Sequence, residues 1–145
     1  ELVDYLLPML DDVDRHFADG FTCLTVAAMC NGTAAARKLL ALGADVNKAT
    51  SDRQLTPLHL AAEFSSEDTF ALLLDAGADP HARSGSGTTA FYRAARGGNT
   101  HILRRLRECD CDVNACTFDN WTPLLEAVEN GHEEVVDLLL EWGAD

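Results

Sequence analysis

The sequence is short of several things. No apolar run approaches the ~18 residues that span a bilayer, so a membrane-crossing segment is not expected. The opening Glu1-Leu2-Val3-Asp4 has no basic stretch ahead of an apolar one, so nothing reads as a secretory leader. Bases are scarce: 11 Lys and Arg stand against 24 Asp and Glu, for a net charge of −13. Such a surface repels phosphate backbones and anionic lipid heads, so neither nucleic acid nor membrane is an expected partner. The cysteines Cys23, Cys30, Cys109, Cys111 and Cys116 are odd in number and include no C-x-x-C pair. A disulfide framework and a zinc site are therefore not expected. Reduced thiols in a cytoplasmic or nuclear setting fit better. No nucleophile–base pair stands out, and no catalytic or cofactor-binding residue is expected.

What the 145 residues do contain is repetition, on a background of 47% hydrophobic and 24% charged residues. Those are values of a folded chain. Four segments align: Thr22-Cys-Leu-Thr-Val-Ala-Ala28, Thr56-Pro-Leu-His-Leu-Ala-Ala62, Thr89-Ala-Phe-Tyr-Arg-Ala-Ala95 and Thr122-Pro-Leu-Leu-Glu-Ala-Val128. Their threonines are 34, 33 and 33 residues apart. A second motif keeps step: Gly43-Ala-Asp-Val-Asn47, Gly77-Ala-Asp-Pro-His81, Asp110-Cys-Asp-Val-Asn114 and Gly143-Ala-Asp145, each starting 21 residues after its threonine. A fixed period of this length marks a stack of small supersecondary units.

Each copy predicts the same local structure. Thr is a good helix N-cap, and Pro57 and Pro123 stand at the first turn, where a helix tolerates proline. Paired alanines let a short first helix lie close to its neighbour. A polar turn such as Asn130-Gly131-His132 follows, then an apolar periodic stretch such as Val135 to Leu140, the second helix. Gly43, Gly77 and Gly143 fall just beyond second helices, where φ > 0 is wanted. Asp110 takes that place in the third copy and must adopt φ > 0 or distort the turn. Neither helix buries its apolar face alone, so stacked copies share one core.

Period and T-P-L-H-x-A core resemble the ankyrin repeat, over nearly the whole chain. The resemblance implies an all-α fold, an ankyrin-repeat α-solenoid of helix–turn–helix units joined by β-hairpin-like fingers. Repeats are expected at residues 19–48, 53–82 and 86–115, with residues 119–145 a repeat truncated after its second helix. Residues 1–16 are expected to be the second half of a truncated repeat. Neither end reads as a polar cap, so a fragment of a longer array is expected, and with it self-association through uncapped ends.

The resemblance implies a protein-interaction module that presents a concave surface to a partner protein or peptide, without enzymatic activity. Its alternative is the targeting arm of a larger multidomain enzyme or ubiquitin-ligase subunit whose catalytic part lies outside the chain. A spacer with no partner of its own is a third reading. Family contact positions lie just before the Thr and just after the Ala pair. They map the candidate partner-binding residues to Phe21, Arg53, Leu55, Phe64, Arg96, Phe118 and Trp121, with Arg93 and Glu126 inside first helices. For Phe21 and Leu55 the other reading is packing on a neighbouring finger. Arg93 and Arg96 share a helix face. With Arg53 near, they are expected either to form a small basic pocket for a partner's carboxylate or phosphate, or to pair internally with Glu63 or Glu126. Charge is banded: residues 87–119 carry a net +1, residues 120–145 seven acids and no base.

Other patterns carry less. Gly85-Ser-Gly-Thr-Thr89 lacks the lysine of a phosphate loop and reads as a finger turn. Asn31-Gly-Thr33 and Asn120-Trp-Thr122 match the glycosylation pattern, but their threonines belong to turns or caps. His59 matches the family histidine that hydrogen-bonds between neighbouring repeats. By the same resemblance, Leu39 to Asn47 and Leu106 to Asn114 have the spacing that an asparaginyl hydroxylase reads, implying modification at Asn47 and Asn114.

Overall fold

A computed structural model of the protein describes residues 12–145. Within them run four helix pairs and no strand: α1 Cys23–Met29 with α2 Thr33–Ala41, α3 Pro57–Glu63 with α4 Glu67–Asp75, α5 Ala90–Gly97 with α6 Thr100–Glu108, and α7 Pro123–Glu129 with α8 Glu133–Glu141. The half repeat expected over residues 1–16 falls mostly on residues 1–11, outside the described residues.

The four threonines occupy four equivalent helix starts. Thr22, Thr56, Thr89 and Thr122 are all extended, with ψ between 159° and 167°. Each Oγ1 accepts the backbone N–H three residues on, from Thr25, His59, Tyr92 and Leu125. This satisfies one of the orphan donors of the first turn. Pro57 and Pro123 fill the first turns of α3 and α7, where no N–H is needed. Gly43, Gly77 and Gly143 have φ of 90°, 93° and 78°, and Asp110 matches them at 57°. The strained conformation expected of Asp110 is therefore present.

Helices of seven to nine residues are too short to stand alone in water, so packing holds them. First helices stack on first helices, and second helices line up behind them. Ala28, Ala62 and Ala95 are fully buried between first helices. The approach is closest at Gly97, where a Cβ would come within 2.3 Å of the Glu63 carbonyl oxygen. Between the helix layers lie Leu24, Leu39, Leu58, Phe70, Leu73, Phe91, Ile102, Leu106, Val135 and Leu139, all buried. Trp142 ties the last pair to the third, tilted against Phe91 at 6.2 Å and lying under the Arg107 guanidinium at 6.0 Å.

Fingers are tight turns with a backbone bond across each base: Phe17 N to Phe21 O, Thr50 N to Leu55 O, Ser84 N to Thr88 O, and Thr117 N to Trp121 O. Neighbouring fingers are stitched by Ser51 N to Gly20 O, Gly85 N to Arg53 O, and Phe118 N to Ser86 O. Lower down, Asn47 Oδ1 accepts Asp79 N at 2.9 Å and Asn114 Oδ1 accepts Asp145 N at 3.0 Å. The Asp14 carboxylate, one repeat length before Asn47, does the same for Asp45 N at 3.1 Å. His81 holds this place in the third link, and there Cys111 Sγ donates to Pro80 O instead.

Candidate functional site

The first helices and fingertips form one face of the stack. On it, a line of charge crosses three consecutive helix pairs. Arg93, on α5, donates from Nη1 to Glu63 Oε2 of α3 at 2.8 Å and from Nε to Thr88 Oγ1 at 3.1 Å. Arg96, one turn on, sets Nε 3.3 Å from Glu63 Oε1 and 3.6 Å from Glu126 Oε1 of α7. Glu126 also receives the Tyr92 hydroxyl on Oε2 and the Asn130 side-chain amide on Oε1. Burial, and then the Glu126 carboxylate, push the Tyr92 phenol above its ordinary range. The hydroxyl therefore stays protonated and keeps donating.

Internal pairing is thus what the structure supports for Arg93 and Arg96, and a free anion pocket is not what they form. The reason is spacing: Glu63, Arg96 and Glu126 come from consecutive pairs and meet when the first helices stack. Arg93 and Glu126 are only 6% and 5% exposed. Glu126 pairs with Arg96 directly, Arg93 shares its partner Glu63, and neither offers much area of its own. Arg53 does not join them. It sits on an exposed fingertip with Nε 3.7 Å from its neighbour Asp52, and it is absent from the groove lining.

Beside the charge line lies a groove of about 340 Å³, walled by Ser86, Thr88, Tyr92, Arg96, Asp119 and Trp121 above the Arg93–Glu126 floor. Trp121 is 39% exposed and Phe118, three residues earlier on the same finger, 68%. Phe118 sits over Gly87, where φ is +82° and a Cβ would meet the ring at 2.8 Å. Phe64 caps α3 and is 51% exposed on the same face. Leu55 is buried, and Phe21 is half-buried against the core. For these two, packing within the stack is the reading the structure supports, because their side chains lie in or against the core.

His59 lies behind this face. Its Nδ1 accepts Thr56 N at 3.0 Å, and Nε2 donates to Ala82 O and Thr88 O at 3.0 and 3.1 Å. It therefore links one helix pair to the next finger. Burial, aided by the Arg93 charge, lowers its pKa to about 4. Sequence reasoning did not find the Tyr92–Glu126 link. Its only signal was Tyr92 at the place His59 holds in the preceding unit. Among the described residues no group of His, Cys, Asp and Glu is arranged to hold a metal ion, and no helix is long and apolar enough to cross a membrane.

Residues 1–84 and 76–145 match the family model for ankyrin repeats in three copies. The chain belongs to the ankyrin-repeat family. It is 36% identical over 135 residues to the mouse B-cell lymphoma 3 protein homolog, covering 88% of this chain and 30% of that protein. To the human ankyrin repeat and SOCS box protein 16 it is 36% identical over 134 residues, with 87% and 30% covered. To the Drosophila neurogenic locus Notch protein it is 31% identical over 150 residues, with 92% and 6% covered. The chain spans less than a third of the length of these relatives. Ankyrin repeats are protein-interaction modules, and the charge line and groove lie on the face made by their first helices and fingers.

Proposed function

We propose that this ankyrin array binds a partner protein or peptide along the face of its fingertips and first helices, with no chemistry of its own. Phe64, Phe118 and Trp121 are the apolar anchors and Arg96 the polar one. Beneath them Glu126 pairs with Arg96 and Arg93 fixes Glu63, which pairs with Arg96 too; Phe21 and Leu55 act by shaping the fingers, and Arg53 at the fingertip rim. The repeats take the bounds 19–48, 53–82, 86–115 and 119–145.

The observation that carries this reading is the Phe118–Trp121 pair. Two aromatic side chains stand on one fingertip beside a groove, where a solvated turn favours small residues such as Gly85 and Ser86, both exposed one unit earlier. Aromatic anchors on a rigid surface lose little entropy on binding and dominate interface energies. The test is affinity capture by the intact parent protein, comparing wild type with the Phe118→Ala/Trp121→Ala variant after circular dichroism shows the fold retained. The reading expects the captured partner to be lost, and equal capture sinks it.

A second reading makes the array the targeting arm of a larger enzyme or ubiquitin-ligase subunit. It is favoured by the likeness to the SOCS box protein, of which the matched part is under a third. Free thiols at all five cysteines support a cytoplasmic or nuclear setting. For the 145-residue chain by itself, Leu125 and Val128, 44% and 59% exposed where the preceding units bury their equivalents, support self-association through the α7–α8 face.

A further inference from the structure

We infer that the groove beside Trp121 takes a cationic side chain, a lysine or arginine of the partner, stacked on the Trp121 ring and paired with Asp119. This rests on the groove being the binding face, as proposed above.

Charge decides between a cationic and an anionic anchor. The two guanidiniums that border the groove are matched by two carboxylates: Arg93 by Glu63, and Arg96 by Glu63 and Glu126 together. They have no net positive charge left to hold a phosphate or carboxylate. Asp119 is different. It lines the groove, is exposed, and has no hydrogen bond or ion pair among the described residues. Counting Glu63 behind the lining, two arginines stand against Glu63, Glu126 and Asp119, so the charges about the groove sum to −1. The field of the whole chain, at −13, steers cations inward and anions away.

Trp121 supplies the second half of the site. Indole is the best π face for a cation, and the attraction survives partial exposure at about 0.5–1 kcal/mol. Thr117 Oγ1 accepts the Trp121 backbone N–H at 3.1 Å, which pins the ring's base to its finger. A guanidinium or ammonium over that ring, its N–H groups turned to Asp119, satisfies both partners. A carboxylate in the same place faces Asp119 and Glu126 and is repelled.

The test uses two-dimensional NMR of the 145-residue chain, which resolves the Trp121 and Trp142 indole N–H signals, assigned with Trp142→Phe. The probes are N-acetyl-argininamide, N-acetyl-glutamate amide and N-acetyl-leucinamide. The arginine probe is expected to shift the Trp121 signal saturably and leave Trp142 still, and the glutamate probe to do nothing. Asp119→Asn should weaken the arginine probe about two- to five-fold, the range for an exposed ion pair, and Trp121→Leu should abolish its advantage over leucinamide. Equal response to all three probes, a preference for glutamate, or indifference to Asp119→Asn overturns the cationic anchor. If partner capture needs Trp121 while the arginine probe fails, the groove reading stands and the cationic anchor falls. If capture ignores Trp121, the groove reading itself falls.

Discussion

Tyr92 reaches across the junction between the third and fourth helix pairs and donates its hydroxyl to Glu126 Oε2 at 2.5 Å. Both side chains are buried, so the bond forms where water cannot replace it. Glu126 is held in turn by Arg96 and Asn130. Removing the carboxylate leaves a phenol and a guanidinium underserved together.

Glu126→Ala is expected to destabilise the fold by about 2–4 kcal/mol, and Tyr92→Phe by about 1 kcal/mol. The double variant should fall short of the sum by more than about 0.5 kcal/mol, since the two share one interaction. Urea unfolding of the four proteins measures this. Strict additivity would show that the link contributes nothing.

His59 predicts acid sensitivity. Its pKa is about 4 in the fold and about 6.5 in an unfolded chain. Between those values the unfolded state binds a proton that the folded state refuses. The His59 contribution is therefore complete above pH 6.5, declines as pH falls, and is fully lost near pH 4. The loss is on the order of 3 kcal/mol. Unfolding midpoints at pH 7 and pH 4 should converge in His59→Gln relative to wild type. An unchanged pH dependence in that variant counts against a buried neutral His59.

Gly97→Ala tests the close stacking of first helices. The added methyl would meet the Glu63 carbonyl at 2.3 Å, backbone that cannot rotate aside. A loss of about 1–3 kcal/mol is expected, although alanine favours helix more than glycine does. Gly43→Ala meets nothing within 4 Å and should lose only about 1 kcal/mol, from its φ of +90°. Thermal melts that rank Gly43→Ala as the worse change contradict the packing described.

The α7–α8 face predicts association that grows with salt. Leu125 and Val128 offer apolar area, while Glu129, Glu133, Glu134, Asp137, Glu141 and Asp145 nearby are all exposed. Screening shortens the reach of their repulsion to about 8 Å at 0.15 M. Sedimentation velocity should show more dimer at high salt than at low, and Val128→Glu should abolish it. A monomer at every salt concentration would end the idea of self-association through this face.

Local rules were enough for Thr22, Thr56, Thr89 and Thr122. Capping needs only a hydroxyl and the next turn of the same helix, so a period in the sequence translates directly into four helix starts. The left-handed Asp110 is legible for the same reason, because its neighbours in other copies are glycines. Gln54 and Asn120, also at positive φ, share their place with Gly20 and Gly87, a correspondence visible once fingers are aligned. Leu55 was ambiguous, because a residue before the threonine faces either the partner side or the next finger. The structure buries Leu55 and leaves Trp121, at the same place in its unit, 39% exposed.

The sequence by itself determined the unit: its caps, its glycines, its two helices and the fact that the units must stack. Those follow from interactions within about one repeat, and they recur. Only the tertiary structure decided what Arg93 and Arg96 face. Their partners Glu63 and Glu126 stand 30 or more residues away, so whether two guanidiniums remain free or are neutralised depends on how closely neighbouring first helices approach. The same approach set the polarity of the groove beside Trp121, because charges cancel or survive by distance, and distance between units is not written in any one of them.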